Sequence, residues 1–455
     1  MSILVRTLTV LACVLLVGVL FQAPISVWAD VFLPDYALVL KAWKEVVLVV
    51  LALGVVLLAV KMQRVRELAR DKLLWLVGAI GALHVVLLLA FDNQYVSEIA
   101  GLVIDMRIYL AFAALYALVR LAPATRRPIL LSVAAGVSVV MGFALLQVMV
   151  LPKDFLAQFG YSDETIKPFL TVDMNPDFVR VSSTLRGPNP LGALAVIVLS
   201  LVVVRMVQLW RQKRWRQWQM AGLAVLALCS VVALWYSYSR SALLAAGVSA
   251  AVLGVVWSLR TISIKLFAAG CLAAVLLLGG GIFATKDTAF VQNVVFHSNP
   301  EGGSEHKSDQ GHAESLAEGI EAASRQPFGA GLGAVGSASL LTEEPLIIEN
   351  QYLYIAHESG WLGVALQLWL FGWLLWRFWL GRQSGLALAL LASGLGMAVI
   401  GLVLPVWADD TVGVVWWSLA GIALATLPAR QVKAVARPLQ KSKHNLEDTR
   451  QKVVL

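Results

Sequence analysis

The feature that most constrains this chain is its repeated alternation of apolar runs, each roughly twenty residues long, with short charged breaks. A helix needs about twenty apolar residues to cross the hydrocarbon core, where lipid offers the backbone no hydrogen-bond partners. Composition agrees, because 59% of the 455 residues are apolar and only 14% are charged. The chain is therefore predicted to be an all-α polytopic membrane protein.

The apolar runs predict about twelve transmembrane helices in a single domain over residues 1–429. The first run follows Arg6 and ends in small residues, as secretory signals do. It is interpreted as a retained helix, because twelve spans satisfy every loop. The spans are expected near residues 7–28, 36–60, 73–91, 101–119, 129–151, 189–208, 219–236, 242–259, 266–285, 352–376, 384–405 and 412–428.

The breaks between these runs alternate in charge, and this alternation sets the predicted topology. An excess of Lys and Arg marks the cytoplasmic side. Both termini are therefore predicted to be cytoplasmic, and the basic tail 430–455 is expected to be disordered. This topology explains the net charge of +8 without a nucleic-acid partner. The 25 cytoplasmic residues, of 36 Lys and Arg in the chain, are Arg6, Lys61, Arg64, Arg66, Arg70, Lys72, Arg120, Arg126, Arg127, Arg205, Arg211, Lys213, Arg214, Arg216, Arg260, Lys265, Arg377, Arg382, Arg430, Lys433, Arg437, Lys441, Lys443, Arg450 and Lys452.

Two segments on the predicted external side, 152–188 and 286–349, are longer than turns. Connections of this length are uncommon without a function or a structure of their own. In the second segment, Leu316, Ile320 and Ala323 recur at helical spacing and predict a short amphipathic helix. Any chemistry is therefore expected on the outer face.

Two arginines stand immediately before the span that begins with the letters PNP. Arg180 and Arg186 lie in the stretch RVSSTLRGPNP, ahead of a helix N-terminus that favours an anion. Two guanidinium groups beside such a terminus suit phosphate or diphosphate. The alternative is that both arginines are interfacial anchors that face lipid headgroups.

Arg240 lies in the stretch LWYSYSRSALL, in a turn between two apolar runs. The topology makes this turn external, where arginines are scarce, so the charge bias of the loops does not account for it. Ionisable residues close to the membrane core are candidates for function by default. The alternative is a structural partner for an acidic residue.

Three residues compete for the role of a general base. Glu349 stands at the mouth of the tenth span, where a carboxylate can accept a hydroxyl proton. Its alternative role is to complement the dipole at the start of a helix. His312 in the second external segment and His357 further along the tenth span are the competing bases. The sequence leaves this choice open.

Other polar residues within or beside the spans are expected to be structural or undecided. Asp105 and Arg107 are two positions apart on one helix, so each needs a partner elsewhere. His84 is interpreted as a hydrogen-bonded core residue, and Asp409 with Asp410 can hold a cation or an arginine. The letters GLGAVG at 331–336 follow no strand and do not indicate a dinucleotide site. No metal and no cofactor are expected.

Four motifs occur in a fixed order over roughly residues 100–425: R…ST…PN.LG into a span, an SRSA turn, P.G.GLG at the end of the long external loop, and N.YL…E.G.LG into a span. This order resembles the O-antigen ligase and O-antigen polymerase superfamily of bacterial membrane glycosyltransferases. The order is more specific than any one motif alone. The resemblance implies location in the bacterial cytoplasmic membrane with the active site facing outside.

The resemblance also implies a chemistry and roles for individual residues. Members are metal-independent enzymes that transfer a glycan from a polyprenyl diphosphate carrier to a glycan or lipid acceptor. Arg180 matches the family arginine ahead of PN and Arg240 matches that of the SR motif, so both are expected to bind the diphosphate. Arg186 is an additional arginine. An inverting displacement is implied, in which Glu349 or His312 removes the proton of the acceptor hydroxyl.

One departure from the family pattern keeps the exact activity open. Ligases that attach glycan to a lipid core typically carry histidine before N.YL, where this chain has Glu349. Polymerisation and ligation of a surface polysaccharide therefore both remain possible. The competing function is a transporter or flippase for the same lipid-linked glycan, and a polar path through the membrane favours it. Charges at the outer boundary favour transfer.

Overall fold

A computed structural model of the chain describes residues 2–213, 216–258, 264–296 and 308–428. Most of these residues are helical, and the predicted tail 430–455 lies outside them. The helices are α1 (Ile3–Gly18), α2 (Gln22–Phe32), α3 (Ala37–Lys41), α4 (Trp43–Lys61), α5 (Val65–Ala69), α6 (Lys72–Ala90), α7 (Tyr95–Leu121), α8 (Arg126–Met149), α9 (Pro188–Arg211), α10 (Gln217–Tyr236), α11 (Arg240–Ser258), α12 (Ile264–Ala284), α13 (Ser308–Arg325), α14 (Gln351–Leu380), α15 (Gly385–Ile400) and α16 (Asp410–Ala425).

Nine helical segments in the described ranges are long and apolar enough to cross a membrane. Two more apolar helices, α15 and α16, are shorter, and α12 is a further apolar helix of 21 residues. Each of the twelve predicted spans coincides with helical structure, so the predicted helical membrane architecture is confirmed. The number of crossings and the cytoplasmic placement of both termini stay predictions.

The centre of the bundle is formed by α7 and α16, which pack along one another. Their contact is close because a Cβ placed on Gly421 would lie only 2.5 Å from the carbonyl oxygen of Phe112. Small residues at such contacts let membrane helices approach closely. Trp416 and Trp417 of α16 are fully buried, and Trp417 packs edge-on against Phe112 of α7.

A second close contact joins α11 and α15. Gly396 lies against the backbone of Ala245, and the Ser249 hydroxyl donates a hydrogen bond to the carbonyl of Ala392 (3.0 Å). Residue numbers rise along one helix as they fall along the other, so the helices are antiparallel. The start of α11 and the end of α15 therefore lie at the same end of the bundle.

Both long external segments carry structure of their own. The first contains a 3₁₀ helix (Phe155–Phe159) and a two-stranded antiparallel hairpin, β1 (Leu170–Val172) and β2 (Asn175–Arg180), which the all-α prediction did not include. The second contains α13, as predicted.

Of the three residues whose spacing predicted α13, only Ala323 is buried. Ser315, Gly319 and Ala323 are buried, whereas Leu316 and Ile320 are 42% and 54% exposed. A Cβ on Gly319 would lie 2.9 Å from Ile348, so the small residues allow the helix to pack closely on its neighbours.

The polar residues of the spans pair with one another. His84 contacts Asp105 (3.3 Å) and the carbonyl oxygen of Ile80 (2.8 Å), which confirms a hydrogen-bonded core histidine. Arg107 forms an ion pair with Asp410, and Lys44 approaches the same carboxylate at 3.2 Å. Asp105 and Arg107 thus each find a partner on another helix.

The Arg107–Asp410 pair predicts a measurable loss of stability. We expect Arg107→Leu to destabilise the fold by about 3 kcal/mol, because it leaves a carboxylate at a helix junction with part of its charge uncompensated. Thermal denaturation in detergent measures the change. Arg64→Leu is the matched control, since its pair with Glu67 is about one-third exposed and is expected to contribute less than about 1 kcal/mol. Equal shifts for both variants would contradict this assignment.

Candidate functional site

Arg180 stands at the end of β2 and is held by two other motif segments. Its Nε donates to the carbonyl oxygen of Ser237 (2.9 Å), and its Nη2 donates to the Asn189 side chain (2.8 Å). The backbone N–H of Val181 also donates to Tyr236 (3.0 Å), which fixes the strand end beside α10. The PN motif and the turn before SRSA therefore both orient this guanidinium.

Arg240 begins α11, in the turn that follows Ser237. Its Nη1 donates to the carbonyl oxygen of Val295 (3.2 Å), in a π-helical turn over Val291–Val295. The same turn is linked to the hairpin, because the Asn175 amide donates to Asn293 (3.0 Å). The hairpin and the π-helical turn thus border the region that holds Arg180 and Arg240.

The two arginines are close enough to influence each other's charge. Burial lowers the pKa of the Arg180 guanidinium to about 10, with repulsion from Arg240 as the second cause. Arg180 still carries its full charge at neutral pH, because 10 lies well above 7. Two repelling cations form a preorganised site for an anion, since an anion between them relieves the repulsion. A guanidinium has five N–H donors, more than the two that Arg180 gives to its protein partners.

Arg186, the third predicted anion ligand, lies in a different electrostatic environment. Its side chain is exposed, and its charge acts on Asp409 and Asp410 at the start of α16. Arg186 therefore belongs with Lys44 and Arg107, which form ion pairs with Asp410. The structure brings Arg180 and Arg240 together and places Arg186 beside carboxylates.

His312 and Glu349, which competed for the role of base, lie in contact. The His312 Nδ1 is 2.5 Å from a carboxylate oxygen of Glu349, and each side chain is about one-third exposed. Ser315 supports this contact, because its hydroxyl accepts the N–H of Glu349 (2.8 Å) and donates to the carbonyl of Ile347 (3.1 Å). The two residues therefore form one unit that joins α13 to the start of α14.

This His–Glu pair lies at the same end of the bundle as the arginines. Asn350 caps α14 by accepting the N–H groups of Tyr352 and Leu353, and its amide donates to the carbonyl of Leu402 (2.7 Å). Leu402 follows the end of α15, which lies level with the start of α11 at Arg240. Both pairs thus flank the same end of the α11–α15 contact.

His357, the third candidate base, is buried in α14. Its carbonyl oxygen accepts the N–H of Ala330 (2.6 Å), and its ring approaches the backbone of Ala322 in α13. This position places the imidazole against α13 and away from solvent.

Glu358, which was not among the predicted site residues, holds the long loop in place. The Glu358 side chain is completely buried, and its Oε1 accepts the N–H of Gly333 at 2.6 Å. Two residues later, Gly360 breaks α14 with a φ of +69°. The loop enters this break, where Trp361 donates its N–H to the carbonyl oxygen of Pro327 (3.1 Å). The motif letters P.G.GLG and E.G.LG, noted only as family signals, mark the two sides of this contact.

The helix break predicts a specific sensitivity to a methyl group. A Cβ on Gly360 would lie 2.6 Å from the backbone of Phe328, and its φ is costly for other residues by about 1–3 kcal/mol. We expect Gly360→Ala to loosen the loop and to speed tryptic cleavage after the exposed Arg325, as followed by gel electrophoresis. Gly372→Ala in the same helix is the control, because a Cβ there meets nothing within 4 Å. Equal digestion rates for the two variants would contradict the role of the break.

Comparison with known proteins gives one family. Residues 224–368 match the family model described as O-antigen ligase, a range that contains Arg240, His312, Glu349 and the loop contact at Glu358. No curated protein matches the chain. In the described ranges, no cluster of His, Cys, Asp or Glu side chains is arranged to hold a metal ion. The match supports membrane glycosyltransferase activity of the O-antigen ligase type in general. The match over residues 224–368 supports the O-antigen ligase and O-antigen polymerase family that the order of the motifs predicts.

Proposed function

We propose that this protein transfers a glycan from a polyprenyl diphosphate carrier to an acceptor hydroxyl at the outer face of the bacterial cytoplasmic membrane. The observation that carries the proposal is the position of two chemical units at one end of the α11–α15 contact. Arg180 and Arg240 form a cationic pair suited to a diphosphate, and His312 with Glu349 forms a unit suited to proton removal. The acceptor is a glycan or a lipid, in polymerisation or ligation of a surface polysaccharide.

The arginine pair suits the leaving group of this reaction. When the bond between the anomeric carbon and the diphosphate oxygen breaks, that oxygen gains negative charge. Guanidinium groups that are already oriented stabilise this charge without reorganising during the step. Arg180 is oriented in this way by Ser237 and Asn189. Side-chain cations thus supply the charge stabilisation in the proposed metal-independent mechanism.

The His–Glu unit suits activation of the acceptor. We assign His312 as the general base and Glu349 as the residue that orients it. The carboxylate of Glu349, 2.5 Å from Nδ1, stabilises the imidazolium that forms when the His312 ring accepts the proton of the attacking hydroxyl. The new bond then forms between the acceptor oxygen and the anomeric carbon, opposite the departing diphosphate, which inverts the configuration.

The assignment of the base predicts an order among variants. We expect His312→Ala to lower kcat about 10²–10⁴-fold, the usual contribution of a general base, and added imidazole to restore part of the loss. Glu349→Ala is expected to lower kcat with an unchanged KM for the donor, because it disorders the base rather than the donor site. Initial rates in proteoliposomes measure both. Glu318→Ala, an exposed residue of α13, is the control and is expected to retain activity.

Two outcomes would reverse the assignment within the unit. If Glu349 were the base, Glu349→Ala would be the more damaging variant, and imidazole would restore nothing to His312→Ala. If neither variant lowered kcat, the His–Glu contact would be purely structural.

The arginine pair predicts an order of kcat among three arginine variants. We expect Arg180→Ala and Arg240→Ala each to lower kcat about 10²–10³-fold, as removal of a transition-state hydrogen-bond donor typically does. Arg186→Ala is the matched control and is expected to change kcat less than about tenfold, since its charge acts on Asp409 and Asp410. A larger loss for Arg186→Ala than for Arg180→Ala would overturn the assignment of the diphosphate site.

A test in cells separates transfer from transport. In a deletion strain complemented with Arg240→Ala, a transferase defect leaves the lipid-linked glycan accumulated on the outer face of the membrane. A flippase defect traps it on the cytoplasmic face. Accessibility of the glycan to an added lectin, with and without permeabilisation, measures the difference. Accumulation on the cytoplasmic side would reject the proposed function.

A further inference from the structure

A groove of about 610 Å³ opens between α2, the outer half of α8 and the 3₁₀ helix Phe155–Phe159. Its volume falls within the ~300–1,000 Å³ that small-molecule sites usually occupy. None of the residues that line it takes part in the proposed proton or charge chemistry.

The walls of the groove are largely aromatic. Trp28 on α2 is 50% exposed and forms one rim. Phe143 on α8 and Phe155 form the opposite wall, with ring centroids 6.3 Å apart. Aromatic side chains bury large apolar areas and dominate such contacts, so these walls suit a hydrocarbon chain. The exposed rim gives a chain in the surrounding lipid direct access.

The groove ends on the chain segment that leads away from the diphosphate site. Ser183 and Thr184 line it, and they follow Arg180 by three and four residues. Three residues span at most about 11 Å even when fully extended, so the groove begins close to the arginine pair. Thr184 is fixed there by donating to the carbonyl oxygen of Leu20 (2.7 Å). A lipid with its diphosphate at Arg180 can place its first isoprene units in this groove.

We propose that this aromatic groove binds the isoprenoid chain of the lipid-linked donor next to its diphosphate. The inference rests on the proposed function, because it takes the donor to be a polyprenyl diphosphate. It assigns to Trp28 and its neighbours the recognition of carrier length and branching, separate from the recognition of charge at Arg180.

A filling variant and a truncation test the groove. Val139 on its rim is 56% exposed, so Val139→Trp fills the groove without disturbing the core, and Trp28→Ala removes one wall. Leu131→Trp is the matched control on the same helix, because Leu131 is 59% exposed and does not line the groove. The substrates are one glycan on two carriers, a polyprenyl diphosphate of many isoprene units and a diphosphate with a single isoprene unit.

We expect both groove variants to raise KM for the long-chain donor at least tenfold with kcat little changed. KM for the single-isoprene donor should change less than twofold, because that chain is too short to fill the groove. The control should match wild type with both donors. Equal effects on KM for the two donors would overturn the proposal. A rise in KM for the acceptor instead would also overturn it, and would mean that the groove holds an acceptor lipid.

A binding measurement keeps this inference separate from the catalytic one. A photoreactive polyprenyl diphosphate is expected to label peptides that contain Trp28 or Phe155 in wild type, and Val139→Trp is expected to prevent this labelling. If wild type transfers no glycan but labels in this pattern, the proposed function fails and the groove assignment stands. Labelling that is spread over all lipid-facing helices would show ordinary lipid contact and reject the groove.

Discussion

The candidate site depends on a break in α14 that is filled by the protein's own backbone. At Gly360 the helical ladder is interrupted, and the backbone groups it leaves must find partners, because lipid offers none. The loop after α13 supplies them, and the buried carboxylate of Glu358 adds a bond to Gly333. The loop is thereby fixed to the bundle, and α13 with His312 is fixed by the loop. A structural contact at the break in α14 thus helps to place His312, a side chain of the candidate site.

The helical architecture was largely predictable, because the thickness of a bilayer fixes the length of an apolar run. The face that α13 buries was not. Leu316 and Ile320 are exposed, while Ser315 and Gly319 are buried. A Cβ on Gly319 would lie 2.9 Å from Ile348 and 3.3 Å from Leu353, so this contact has room only for a small residue. Apolar spacing alone therefore did not identify the face of α13 that packs on its neighbours.

The site was predictable as a set of residues and not as an arrangement. The resemblance supplied Arg180 and Arg240, but no spacing rule links Glu349 to a histidine 37 positions earlier. That contact exists because Ser315 joins α13 to the segment before α14. Glu358 was not among the predicted site residues, and a carboxylate in an apolar run can be either a functional residue or an anchor. Only the backbone bonds around the break distinguish the two roles.

The partners of Arg107 and Arg180 distinguish a charge that stabilises the fold from a charge that can act on a ligand. Arg107 faces the carboxylate of Asp410, so its charge is largely consumed by the fold. Arg180 is instead oriented by two neutral oxygens, the carbonyl of Ser237 and the amide of Asn189. Neutral acceptors fix a guanidinium in direction without cancelling its field, whereas a carboxylate does both. A site that must attract a diphosphate, and release it after each transfer, requires a guanidinium that is held by neutral acceptors.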